Sequence, residues 1–192
     1  SDVPGVFTAD PRAVPDAIQL GTMSLEEALN MARNGAKVLH DEALAFAKRE
    51  GIEIVSSSAA GDKVGTRIHV APLPSRVTAI VADDQLECFK ADPDGLLFAA
   101  LEQAQAPIRS VHNQEILVDL RNWHDRESFE LPSGSAAQGR VCQVSAVGIG
   151  VGTDLELLRI GGEALCEQGV AVQAQRSLPD ALSWWVSPED AK

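Results

Sequence analysis

Apolar residues recur at helical spacing from Ser24 onward, with Leu25, Ala28, Leu29 and Ala32 on one face. Ser24 stands three residues before Glu27, the spacing of a capping box, and Gly35 is a natural stop. A second helix is predicted from Asp41 to Glu50, with Leu44, Ala47 and Phe46 inward and Gly51 ending it. Short apolar runs predict strands at Ile52 to Val55 and at Thr66 to Val70. Residues 1–23 read as loop, because Pro4, Gly5, Pro11 and Pro15 interrupt any longer element.

The run from Pro72 to Arg76 holds two prolines in three residues, which suits a stiff linker and not a central strand. A domain boundary is expected there, between a front segment, 1–71, and two further units, 77–138 and 139–192. In the first unit, Val77 to Ala82 and Leu86 to Lys90 read as strands and Gly95 to Gln105 as a helix. Ile108 to Val111 and Ile116 to Leu120 read as strands again, and a polar connection fills 121–139. The second unit repeats the order: a strand at Val141 to Val147, a glycine turn, a helix at Leu155 to Gln168, and strands at Val170 to Gln173 and Ala181 to Val186. Strand–helix–strand–strand twice over is the split pattern of ferredoxin-like units. Trp184 and Trp185 adjoin on one strand and point to opposite faces. One suits the core, the other a subunit contact or the underside of the front segment.

Composition narrows the function. Hydrophobic residues make up 45% of the 192, so packed cores are expected. Sixteen basic residues against 28 acidic give a net charge of −12, which argues against nucleic acid and against anionic membrane surfaces. No apolar run approaches the ~20 residues that span a bilayer. Cys88, Cys142 and Cys166 are odd in number and lack metal or disulfide spacing, so a reducing, cytoplasmic setting is expected. His40, His69, His112 and His124 likewise show no metal-ligand spacing, and no metal site is expected. Gly148 to Gly152 is glycine-rich but lacks a complete dinucleotide pattern.

The opening run, Ser1-Asp-Val-Pro-Gly-Val-Phe-Thr-Ala-Asp-Pro-Arg12, could present backbone N–H groups and a guanidinium to phosphates. The alternative is a surface turn fixed by Asp10 and Arg12. This run resembles the T-D-x-x-G-V-Y-T-A-D-P-R segment of aspartate kinases, members of the amino-acid kinase family. Val14 to Ala17, Ser24 to Ala28, Gly35 to His40 (the family's G-A-K-V-L-H), Ala45 to Ala47 and Gly65-Thr66 continue the resemblance in order. It implies nucleotide contacts at Ser1, Asp2, Phe7, Arg12, Lys37 and Val38, with Arg12 and Lys37 on phosphate and Asp2 and Phe7 near adenine and ribose. Phe7 stands where the family has Tyr, so stacking survives and the phenol hydrogen bond does not. Without the resemblance, Lys37 reads as a cation at a helix C-terminus.

Residues 77–192 resemble the paired regulatory ACT domains of aspartate kinases. The implied fold class is mixed α/β: the C-terminal remnant of an amino-acid kinase domain followed by two ferredoxin-like βαββαβ ACT domains. A final helix would begin at Pro188. Effector contacts are implied at Asp92, Asp94, Gly95, Ile108, Gln114 and Glu115, although Arg109 stands where the family has an acid and Pro107 replaces a hydrogen-bonding residue. Read by itself, the turn from Asp92 to Gly95 is equally an ordinary helix start.

The resemblance implies a regulatory fragment of an enzyme that uses ATP with Mg²⁺ to phosphorylate L-aspartate, under feedback from lysine or threonine. The family's K-[FY]-G-G-[TS]-S phosphate-binding strand does not occur in the sequence. The fragment alone is therefore expected to be inactive and to need an N-terminal kinase portion as partner, with a homodimer formed through the ACT domains. The competing expectation is a stand-alone ACT-type module that binds amino acids or dimerises without catalysis.

Overall fold

The computed structural model describes residues 4–37, 39–58, 64–70 and 77–190. The proposed linker at 72–76 lies outside them.

The front segment is a three-stranded sheet with two helices. Strand β1 (Thr22–Ser24) runs parallel to β3 (Thr66–His69), and β2 (Ile54–Ser56) pairs antiparallel on β3's other side. Helix α1 (Leu25–Arg33) starts at the capping box read from sequence. Glu27 N donates to Ser24 Oγ at 3.1 Å, and Ser24 N donates to Glu27 Oε2 at 2.8 Å. Helix α2 (Asp41–Glu50) ends at Gly51, whose φ of 67° is the left-handed value that glycine adopts without strain. Leu44 and Ala47 are buried there, whereas Phe46 is half exposed beneath the Arg49 guanidinium, so the inward reading of Phe46 is corrected. The opening loop is not wholly irregular: Phe7 bridges Gln19, and Thr8 O accepts from Ile80 N at 2.8 Å.

The remainder forms one antiparallel six-stranded sheet in the order β5-β6-β4-β7-β9-β8. Its strands are β4 (Ala79–Lys90), β5 (Ile108–His112), β6 (Glu115–Asp119), β7 (Ala136–Val147), β8 (Ala174–Leu178) and β9 (Ala181–Val186). Helix α3 (Leu96–Gln103) follows β4, and α4 (Leu155–Glu167) follows β7. The βαββ order thus occurs twice, and the two copies join through the long β4–β7 pair into a single sheet.

Three sequence readings change. The two strands expected at 77–82 and 86–90 are one strand, β4, bent by a bulge between Asp83 and Leu86. Strand β7 begins at Ala136, inside the stretch read as connection. The strand expected at Val170 to Gln173 lies instead at β8, four residues later, where Pro179 and Asp180 form the two-residue turn into β9.

Side-chain alternation gives the sheet two covered faces. One holds Phe89, Ile116 and Val118 against Leu97 and Leu101 of α3, and Ala146, Leu182 and Trp184 against α4. The other holds Ala79, Val81 and Val147 against Met23, Leu25 and Leu29 of the front segment. Trp184 and Trp185 do point to opposite faces, but both are buried within this chain. Trp185 packs with Leu86, Leu117 and Val141, so neither tryptophan is left for a subunit contact.

Candidate functional site

Helix α1 packs the front segment against the sheet, and the polar residues that fix it define the candidate site. Near its N-terminus, Glu27 is buried at the capping box and also accepts from Thr78 Oγ1 at 2.5 Å. At its C-terminus Gln143 Nε2 donates to Asn34 Oδ1 at 3.2 Å. Gly35 follows with φ 107°, and a Cβ there would lie 2.6 Å from Asp83. Only glycine lets the chain pass so close to that carboxylate.

Asp83 sits in the β4 bulge and is 2% exposed. Two guanidiniums meet it. Arg109 of β5 donates through Nη2 to Asp83 Oδ2 at 3.0 Å and to Asp119 Oδ2 at 2.6 Å, and through Nη1 to the Arg33 carbonyl at 2.5 Å. Arg121 donates through Nη2 to Asp83 Oδ2 at 2.6 Å and Asp119 Oδ2 at 2.7 Å, and through Nε to Asp119 Oδ1 at 2.9 Å. Burial pushes the Asp119 carboxyl up, but the hydrogen bonds and charge of Arg121, with the charge of Arg109, outweigh it and hold the group below its ordinary value. Two arginines balance two aspartates, and one arginine also caps the C-terminus of α1.

Arg109 and Asp119 separate two cavities. One, of about 460 Å³, lies between the end of α1, the start of β5 and the β8–β9 turn. The other, of about 500 Å³, is lined by Lys37, His40, Asp41, Arg109, Asp119 and Arg121, among others. Lys37 of the expected nucleotide set therefore opens toward the sheet's arginines, and its charge also helps lower Asp84, behind the larger effect of the Gln85 hydrogen bond. Phe7 and Arg12 do not line this cavity. Phe7 is partly buried at its bridge to Gln19, and Arg12 is exposed on a turn where its N–H donates to Asp10 Oδ1 at 2.9 Å. Ser1, Asp2 and Val38 fall outside the described residues.

The expected effector set divides. Ala91 N donates to Gln114 O at 2.7 Å, so the turn holding Asp92, Asp94 and Gly95 lies beside the β5–β6 hairpin that carries Gln114 and Glu115. Asn113 and Gln114, with φ of 47° and 66°, make that hairpin's two-residue turn. Ile108 is at the far end of β5, on the 460 Å³ cavity. Asp92 is buried and accepts from Leu96 N at 2.9 Å, Leu97 N at 2.8 Å and Ser135 Oγ at 3.0 Å. Its carboxylate caps α3, and Asp94 is the exposed acid of the turn.

The Leu96 hydrogen bond first, then those of Leu97 and Ser135, hold Asp92 down at about 2 against the upward pull of desolvation. The unfolded carboxyl titrates near its ordinary 3.8. Its stabilising contribution is therefore complete above that value and is lost as pH falls toward about 2. Asp92→Asn should remove this pH dependence. Acid unfolding followed by circular dichroism should show a shallower loss for the variant over that window, and parallel curves would contradict the capping role.

Sequence reading did not find the Asp83–Arg109–Asp119–Arg121 cluster. Arg109 stood out only as an unexpected base. The cluster's members come from β4, β5, β6 and the turn after β6, and only the sheet register brings them together. Burial pushes the Cys88 and Cys142 thiols up to about 11, so both remain protonated at neutral pH.

Residues 1–55 match the amino acid kinase family. Over 91 residues the chain is 43% identical to the aspartokinase of Mycolicibacterium smegmatis, covering 45% of this chain and 22% of that protein. Over 68 residues it is 44% identical to aspartokinase 2 of Bacillus subtilis, covering 35% and 17%. The sequence relatives of this chain are aspartokinases. Aspartate kinase of Clostridium acetobutylicum superposes on the whole chain with a TM-score of 0.80 at 18% identity, and the match covers 52% of that enzyme. Aspartokinase III of Escherichia coli, solved with lysine and aspartate, gives 0.75 at 19%, covering all of this chain and 48% of the enzyme. The chain thus spans about half the length of these aspartokinases. Its fold is that of about half of these aspartokinases.

Proposed function

We propose that this chain is the regulatory rear part of an ATP-dependent L-aspartate kinase. It acts with an N-terminal kinase portion to make ADP and 4-phospho-L-aspartate, the entry to lysine, threonine and methionine synthesis in the cytoplasm. The observation that carries this reading is the docking of a kinase-family segment onto the paired βαββ sheet through α1, which ends two residues before Gly35 and four before Lys37. Escherichia coli aspartokinase III has been solved with lysine and aspartate, and with aspartate and ADP. We assign the same ligand classes here: ATP with Mg²⁺ at the kinase segment, and lysine or threonine at the sheet. The turn at Asp94 and Gly95 with Gln114 and Glu115 forms the effector side, and a homodimer forms through the sheet. Lys37 and Arg12 serve phosphate, with Phe7 against the nucleoside, and the contacts expected at Ser1, Asp2 and Val38 lie outside the described residues.

Phosphoryl transfer depends on positioning every charged oxygen at once, so part of a nucleotide wall gives no turnover. The purified chain, given ATP, Mg²⁺ and L-aspartate, should form no ADP above the uncatalysed background. Aspartate-dependent ADP formation by the chain alone would overturn the division of labour.

A further inference from the structure

We propose that the six-stranded sheet positions the opening loop. Thr66 of β3 and Ile80 of β4 are positioning residues that hold Val6 and Thr8 from two halves of the molecule, so a displacement of one half against the other is delivered to Phe7. The loop doubles back on itself: Leu20 N donates to Val6 O at 2.8 Å, Thr8 N to Ile18 O at 2.9 Å, and Ile18 N to Thr8 Oγ1 at 3.0 Å. Its first anchor lies in the front segment. Val6 N donates to Thr66 Oγ1 at 2.7 Å, and that hydroxyl donates to Leu20 O at 2.6 Å. Val6 and Thr66 are both buried, so losing the hydroxyl leaves backbone groups unsatisfied. Gly5 permits the approach, since a Cβ there would lie 2.7 Å from Thr66 Oγ1. Gln19 Nε2 adds bonds to Pro4 O at 3.1 Å and to Val64 O at 2.9 Å.

The second anchor lies in the sheet. Strand β6 pairs with β4 only from Leu86 to Lys90, beyond the bulge. Ile80 lies before the bulge, where β6 does not reach, and its N–H donates to Thr8 O at 2.8 Å. In an antiparallel pair alternate residues turn their N–H away from the partner, so this bond takes no rung from the β4–β7 ladder. Val6 is thus tied to the front segment and Thr8 to the sheet, with Phe7 between them. The Cα atoms of Val6 and Thr8 lie at most about 7 Å apart, which leaves little slack to absorb a shift of either half. That Phe7 meets a nucleotide rests on the function proposed above, whereas the double tether does not.

Amide hydrogen exchange of the purified chain, resolved by NMR, tests the tether. The wild-type Ile80 amide should be protected although β6 does not pair with it there. Thr66→Val removes the hydroxyl at nearly constant volume. It should speed exchange at Ile80, in the other half of the molecule, by about tenfold and leave the α2 and α4 amides unchanged. Thr66→Ser keeps the hydroxyl and should leave Ile80 protected. Ile80→Pro lacks the N–H and should in return speed exchange at Val6 and Leu20, which decides the matter if Thr66→Val fails to fold. In the polypeptide of the full reading frame, both Thr66→Val and Ile80→Pro should raise KM for ATP about fivefold and leave KM for L-aspartate unchanged, with Thr66→Ser and Ile80→Val near wild type. Rapid exchange of wild-type Ile80, or exchange there that ignores Thr66→Val, overturns the tether. An unchanged KM for ATP in an active Ile80→Pro enzyme overturns the positioning role. A wild-type full-frame product without turnover counts against the proposed kinase function instead, and the exchange results still decide the tether.

Discussion

Arg109→Ala should lower the free energy of unfolding by about 3 kcal/mol, near the lower end of what breaking a buried ion pair costs. The loss has three sources. Asp83, 2% exposed, keeps only Arg121 as a cationic partner among the described residues. The Arg33 carbonyl at the end of α1 loses its donor. The arginine stem also leaves a void between α1 and β5. Arg109→Lys should cost less, because the charge remains while the fork that reaches three acceptors does not. Urea unfolding gives the answer directly, as a lower midpoint with an unchanged slope. A loss under about 1 kcal/mol, the range of surface pairs, would mean that the cluster is solvated and does not hold α1 to the sheet.

Trp185→Ala should be at least as damaging, at about 4 kcal/mol. Trp185 is 2% exposed and packs with Leu86, Cys88, Leu117 and Val141, which lie on β4, β6 and β7. Removing the indole opens a cavity at the seam where the two βαββ units join, and the strands cannot collapse into it without breaking the β4–β7 register. Trp184→Ala should also destabilise, at the opposite face. The Trp184 ring lies so close to Gly161 of α4 that a Cβ there would come within 2.4 Å of it. Equal urea midpoints for wild type and Trp185→Ala would show that the seam is not a packed core.

Local features were legible in the sequence because short-range chemistry determines them. The Ser24–Glu27 box, the Gly51 stop and both bounds of α2 all follow from residues a few positions apart. So does the repeated βαββ order. Strand β8 was misplaced because it is an edge strand carrying Gln175, Arg176 and Ser177, so no apolar alternation marks it. The fusion of the two units into one sheet depends on the pairing of β4 with β7, residues some sixty positions apart, for which no local signal exists. The same holds for the candidate site. Lys37 was found by its motif and Asp92 by its turn, but that Asp92 spends its carboxylate on Leu96, Leu97 and Ser135 is a fact of packing. Arg109 was noticed only as a departure from the expected acid. Its partners Asp83 and Asp119 carry no spacing signal, since a bulge in one strand and the register of two others align them.

The most direct test of the functional reading is an ADP-release assay comparing this chain with the polypeptide encoded by its full reading frame, both purified and shown to be folded. L-aspartate-dependent release of ADP from MgATP is expected from the longer polypeptide and not from residues 1–192 alone. A folded full-frame product that never turns over aspartate, or equal turnover by the two, would contradict it.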